Sequence, residues 1–169
     1  NVVNAATREF AGATVNVTYQ FEMEDLSSGL AGTMRINGNY FYLDKDQQTV
    51  AGQDIDVFTK EEGNEQHNYN VSATYSLNDF TGMFQWRHIG SHIPSNEFAE
   101  DRRDVKKITS WDVFNLTLRY QLTEALAARV VVNNLFDDRG NSPIEQAYVN
   151  NRARDPFGRR FQFAITADF

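Results

Sequence analysis

Residues 160–169 alternate, with Ala164 the one apolar residue on the polar side. Phe161, Phe163, Ile165, Ala167 and Phe169 fall on one side of an extended chain, and Arg160, Gln162, Ala164, Thr166 and Asp168 on the other. A period of two marks a strand with one apolar and one polar face. Six further segments repeat it. Residues 13–21 set Ala13, Val15, Val17, Tyr19 and Phe21 against Thr14, Asn16, Thr18 and Gln20. Residues 30–42 set Met34, Ile36, Tyr40 and Tyr42 against Thr33, Arg35, Asn37 and Asn39. Residues 68–77, 80–88, 114–122 and 126–133 behave likewise, the last through Leu126, Ala128, Val130 and Val132. No helical periodicity of useful length interrupts them. The pattern predicts an all-β fold, an antiparallel up-and-down meander of about seven strands.

The connections run short, long, short, long, short, long: 22–29, 43–67, 78–79, 89–110, 123–124 and 134–158. Short turns at one end and long loops at the other are the habit of bacterial outer-membrane barrels, with the turns periplasmic. The polar faces hold Asn, Gln, Thr, Ser and Arg with little Lys or Glu, whereas a soluble sandwich exposes Lys and Glu freely. Aromatics near strand ends (Tyr19, Phe21, Tyr40, Tyr42, Tyr75, Phe80, Trp86, Tyr120) suit interface girdles. The expected fold is therefore a segment of a transmembrane β-barrel whose apolar face meets lipid.

Composition narrows the function. The 169 residues carry a net charge of −7, which argues against nucleic acid as a partner. With no cysteine, thiolate metal sites, disulfides and thiol nucleophiles are excluded. A mean hydropathy of −0.55 is no obstacle to a barrel, because every second residue faces the lumen.

Several stretches go beyond alternation. Val131-Val132-Asn133-Asn134-Leu135-Phe136-Asp137 precedes a long loop, which returns through Asp155-Pro156-Phe157-Gly158-Arg159-Arg160-Phe161. With Ser110-Trp111-Asp112-Val113-Phe114-Asn115-Leu116 and Asn39-Tyr40-Phe41-Tyr42-Leu43-Asp44, these resemble the C-terminal end of TonB-dependent outer-membrane receptors. The matching motif positions are Asn134, Leu135, Phe136, Asp137, Gly158, Arg159 and the closing Phe169. The resemblance implies a 22-stranded barrel around an N-terminal plug, of which residues 1–169 would be the C-terminal segment, with plug and earlier strands absent. It implies an outer-membrane active transporter in a Gram-negative cell, not an enzyme. Such receptors import a scarce small-molecule nutrient (siderophore, haem, cobalamin or carbohydrate) with TonB-coupled energy. The implied partners are outer-membrane lipid and lipopolysaccharide, the TonB complex through the missing N-terminal region, and the barrel-assembly machinery through the C-terminal strand. Two other readings stay open. One is a different outer-membrane barrel, porin-like or eight-stranded if a strand lies near residues 52–58. The other is a soluble ligand-binding sandwich or barrel.

No catalytic constellation, cofactor site or firm metal site is visible. His88 and His92 are close enough in sequence to share a metal, with His67 also near the extracellular ends, but such residues are more often polar groups of a loop or interface. Asp44, Asp46, Asp54, Asp56, Glu61 and Glu62 lack calcium-loop spacing. Arg35, Arg87, Arg119 and Arg129 fall on predicted lumen faces of four strands. They either form a basic wall that holds a plug or attracts an anionic ligand, or make ordinary salt bridges and hydrogen bonds to plug residues or neighbouring strands. Arg152, Arg154, Arg159 and Arg160, beside Asp155, either brace the last loop or meet lipopolysaccharide phosphate.

Overall fold

The computed structural model describes residues 6–94, 106–140 and 157–167. Strands β1 (Ala6–Glu22), β2 (Thr33–Val50), β3 (Asp56–Val57), β4 (His67–Leu77), β5 (Phe80–Ile89), β6 (Trp111–Thr123), β7 (Leu126–Asn133) and β8 (Arg160–Ala167) form one sheet. Its order is β1-β2-β4-β5-β6-β7-β8, with β3 paired to the outer part of β2. All pairs are antiparallel. This is the expected meander. In the described sheet β1 and β8 are the two edges and do not pair with each other, so the eight-stranded closed barrel does not form.

Two strands are longer than their alternation. β1 starts at Ala6, not Ala13, and β2 runs on to Val50, through residues assigned above to a loop. The backbone ladder explains the difference. Ala6 to Ala11 pair with Val50 to Lys45, and Gln47 and Gln48 also pair with β3. Main-chain hydrogen bonds need no hydrophobic pattern. The register slips between Ala11 and Gly12, leaving Asp44 unpaired as a bulge. A Cβ on Gly12 would meet the Tyr42 carbonyl oxygen at 2.7 Å, so only glycine admits this approach.

At the other end the connections are tight. Met23 N donates to Gly32 O at 2.8 Å across the first turn, which holds one short 3-10 turn, Met23–Asp25. Asn78 adopts φ 47° in the β4–β5 turn, where Asn tolerates the left-handed region.

The register places the predicted faces as the alternation requires. One face carries Val15, Val17, Ile36, Val71, Phe84, Leu116, Leu118, Val130, Phe163 and Ile165. Val17 is 53% exposed and Phe163 76%, which water does not favour over so wide a patch. The opposite face is polar through most of its height. Its loop end is not: Ile89, Trp111 and Val113 form a small buried cluster there, and Leu43 and Ile108 are buried too. The long loops fold onto that end of the polar face. Leu43 N donates to Gln66 O at 2.9 Å, and Ile93 N to Lys60 O at 2.7 Å.

Candidate functional site

The apolar face is bordered by two aromatic rows. At the turn end stand Tyr19, Phe21, Tyr75, Phe80 and Tyr120, with Tyr75 Oη donating to Ala31 O at 2.7 Å. At the loop end Tyr69 stacks on His88 with centroids 4.3 Å apart, and Trp86 stacks on Phe114 at 6.2 Å. The polar tips there are satisfied. Trp86 Nε1 donates to Asp112 Oδ1 at 2.6 Å, His88 Nδ1 lies 2.8 Å from the same oxygen, and Tyr40 Oη lies 2.8 Å from His67 Nδ1. Along a strand, Tyr69 and Tyr75 are six residues apart, about 20 Å. At the usual tilt of about 40° that becomes about 15 Å of height, and the rings at each border extend it toward the ~25 Å apolar band of an outer-membrane barrel.

The polar face is amide-rich and basic. Asn39 Nδ2 donates to Asn16 Oδ1 at 2.6 Å, Gln85 Nε2 to Asn70 Oδ1 at 3.0 Å, and Asn115 Nδ2 to Gln85 Oε1 at 3.0 Å. Arg35, Arg87, Arg119 and Arg129 all lie on this face. Arg35 Nε donates to Asn37 Oδ1 at 3.3 Å and Arg119 to Gln121 Oε1 at 2.9 Å, both neutral neighbours in the same strand. None of the four forms an ion pair with a described residue. Among the described residues, none of the four pairs through its side chain with a neighbouring strand.

Residues Asn134 to Asp137 form a clasp with the returning loop. Asn134 is buried, with φ 53°. Its backbone N–H donates to Asn115 Oδ1 at 2.9 Å, its Nδ2 donates to Asp138 O at 2.8 Å, and its Oδ1 accepts from Asp138 N at 3.0 Å. Leu135 N donates to Phe114 O at 2.6 Å. Phe136 meets Phe114 edge-on at 5.1 Å. Asp137 Oδ1 accepts from Arg159 N at 2.8 Å. Gly158 has φ 71°, and a Cβ there would collide with Asp137 Oδ1. The motif positions on either side of the last long loop are therefore one structure. Phe169, Arg152, Arg154 and Asp155 lie outside the described residues.

The loop end holds two partnered carboxylates that the alternation does not reveal. Arg8 donates two hydrogen bonds of 2.8 Å to Asp46, which is buried. The guanidinium hydrogen bond, foremost, holds the Asp46 carboxyl below the ordinary aspartate value, against burial, which raises it. His92 Nδ1 lies 3.4 Å from Glu65 Oε1, both buried. A cavity of about 290 Å³ opens beside them, lined by Lys60, His67, His92 and Lys107 with Gln66 and Ser91. His88 and His92 have different partners and do not share a site. Among the described residues no three His, Asp or Glu side chains converge as metal ligands, Asp44, Asp46, Asp54, Asp56, Glu61 and Glu62 included. His88, Trp86 and Asp112 were separable in sequence only as an anomaly: Asp112 is a carboxylate on the apolar face.

Two girdles around an apolar band, a polar inner face and one end of long loops define a section of an outer-membrane β-barrel. Residues 1–135 match the family described as TonB dependent receptor-like, beta-barrel. The chain belongs to that family, whose members are outer-membrane transport proteins. No curated protein and no solved structure matched the chain.

Proposed function

We propose that this chain is the C-terminal part of the barrel of a receptor that imports a scarce ligand with energy delivered by TonB. One observation supports the reading above the rest: a single sheet presents an apolar band between two aromatic girdles on one face and an amide–arginine wall on the other. A wall of that kind suits a hydrated or protein-filled interior, and the loop roof above it suits capture from outside. In this reading the plug and earlier strands come from the same receptor. The candidate cargoes are siderophores, haem, cobalamin and carbohydrates. β8, with Phe169 beyond it, serves as the signal to the barrel-assembly machinery. Arg159, beside the loop end of β8, faces lipopolysaccharide phosphate in a Gram-negative outer membrane.

The test is uptake. The whole receptor gene is expressed in an outer-membrane transport-deficient Gram-negative strain, with and without functional TonB. Radiolabelled ferric siderophores, haem, cobalamin and oligosaccharides are offered at concentrations too low for diffusion. Accumulation of one class only with TonB supports the proposal. Equal accumulation without TonB would make the protein a passive channel.

A further inference from the structure

Two of the long loops meet at the cavity beside His92. Three stretches of chain frame it: 60–67 before and into β4, 90–93 after β5, and 107–108 ahead of β6. Backbone hydrogen bonds tie them together. Ile93 N donates to Lys60 O at 2.7 Å, His92 N to Ile108 O at 3.1 Å, and Ile108 N to His92 O at 2.7 Å. The lining is basic: Lys60, Lys107, His67 and His92, with the Ser91 hydroxyl and no carboxylate. That runs against its setting, since Glu61 and Glu62 follow Lys60 directly and the net charge of the chain is −7. Neither lysine forms an ion pair with a described residue. His92 is 2% exposed. Its Nδ1 lies 3.4 Å from Glu65 Oε1, and its Nε2 has no partner among the described residues. Glu65 stands outside the lining and is engaged twice, by His92 and by Gly63 N at 3.0 Å. Lys60 holds φ 75°, a strained angle of the kind found at ligand clamps.

We infer that this cavity binds a phosphate monoester, carried on a body larger than the ion itself. The inference rests on the receptor reading, which places these loops outside the cell. Three properties select the chemistry. Two ammonium groups without counterions, above a buried imidazole, attract an anion. The donors are point charges on flexible stems and a hydroxyl, with no arginine in the lining. The planar fork that matches a carboxylate is thus missing, whereas ammonium groups meet a tetrahedral phosphate from any side. The volume of about 290 Å³ has room for on the order of ten waters, more than one phosphate fills, so the group arrives with a body attached. Bound there, the phosphate also ties the 60–67 stretch to 107–108. Two carriers share this chemistry: a soluble phosphorylated molecule from outside, and lipopolysaccharide beyond the outer girdle.

Calorimetric titration of the intact receptor in detergent, stripped of lipopolysaccharide, tests the site. The probe is glucose 6-phosphate, with glucose and glucuronate as its neutral and carboxylate counterparts. Glucose 6-phosphate is expected to bind about tenfold or more tightly than either. Lys60→Gln and Lys107→Gln should each weaken it about three- to tenfold, as the loss of one charged hydrogen bond at a half-open site requires. Lys45→Gln, which loses only the exposed pair with Glu9 at 3.2 Å, should leave it unchanged. If the lysine variants fail to fold, judged by heat-shifted mobility on gels, Ser91→Ala carries the test through its lost hydroxyl. Glucuronate binding as tightly as glucose 6-phosphate refutes the site, and so does wild-type affinity in the Lys60→Gln/Lys107→Gln double variant. Receptor that keeps its lipopolysaccharide distinguishes the carriers. Unchanged probe binding assigns a soluble molecule. Binding only after stripping, with less lipopolysaccharide retained by the lysine variants, assigns the lipid. No lysine-dependent binding of either refutes the inference. Uptake measured on the same receptor separates it from the transport reading: TonB-dependent uptake without phosphate binding overturns the site alone, and TonB-independent uptake overturns the transport reading.

Discussion

Asn134→Ala removes the centre of the clasp that closes the last long loop. Two side-chain hydrogen bonds go, to Asp138 O at 2.8 Å and from Asp138 N at 3.0 Å. At about 1 kcal/mol each, their loss costs about 2 kcal/mol. Alanine must also hold φ near 53°, but asparagine already carries a Cβ there, so the left-handed backbone adds no further steric cost to this exchange. The loss of about 2 kcal/mol is local, because the clasp can open without unfolding the sheet. A tenfold change needs about 1.4 kcal/mol, so the opening equilibrium rises roughly thirtyfold. Asn134→Gly loses the same two bonds but removes the Cβ from the left-handed region, which relieves about 1–2 kcal/mol. Its net cost of about 0–1 kcal/mol is a rise of about fivefold at most. Hydrogen exchange on the receptor in micelles reads this directly, through the amides of Leu135, Asp138 and Arg159, which donate to Phe114, Asn134 and Asp137. Exchange in the middle of β7 serves as the unchanged reference. If those amides exchange at the wild-type rate in Asn134→Ala, or if the glycine and alanine variants are equally open, the account of the clasp is wrong.

The remaining predictions concern strain, charge and the two faces. Gly158→Ala should loosen the same clasp more than Gly52→Ala loosens its own turn. Both glycines have positive φ, but a Cβ at Gly158 meets Asp137 and one at Gly52 meets nothing; equal exchange effects would mean that backbone strain alone matters. The Asp46 carboxyl lies beyond the outer girdle and is held below its ordinary value by Arg8. The ordinary value describes the unfolded chain, so the pair's contribution is complete above it and is lost as pH falls through the lower folded value. Protection of the Phe58 and Thr59 amides, which donate to Asp46 O, should therefore fall on acidification below the usual aspartate range. Asp46→Asn should flatten that dependence, and a profile unchanged by the substitution would disprove the linkage. Val71→Arg should cost about 2–4 kcal/mol for folding into vesicles, while Ser72→Arg, one residue away on the polar face, should cost little. Equal costs measured by urea unfolding would remove the assignment of lipid and lumen faces.

Legibility in the sequence tracked the solvent on each side of the sheet. Where one face meets hydrocarbon and the other a polar interior, alternation is enforced, and β4, β5, β7 and β8 begin within a residue of their pattern. Above the girdles that constraint disappears. Lys45 to Val50 have no alternation to read, yet they form strand because β1 and β3 supply backbone partners. The apolar patch of Ile89, Trp111 and Val113 on the otherwise polar face was equally hidden, since it exists only because the loops fold back over it. The four wall arginines could be assigned a face from parity alone. That Arg119 and Arg129 stand directly opposite depends on the β6–β7 register, which shifts between Gln121 and Thr123, and no count of residues reveals such an irregularity. The motif around Asn134 was visible as a string, but its partner Asn115 and its contact with Gly158 and Arg159 come from pairing across strands.

The unpaired Asp44 has a consequence for how this barrel can change over time. Below it, inserting or deleting one residue would exchange every following side chain between oil and interior, so length there is frozen. The bulge has already taken that odd step, and it does so between Ala11 and Gly12, just above the loop-end aromatic row that Tyr42 joins on β2. Above it, strand phase no longer answers to the membrane, and lengthening the ribbon adds only a slowly growing loop entropy. The site is a joint between two regimes of inheritance: a lower part fixed in length and free only in side chain, and an upper part able to grow, shrink and be rewritten as whatever must be caught outside the cell changes.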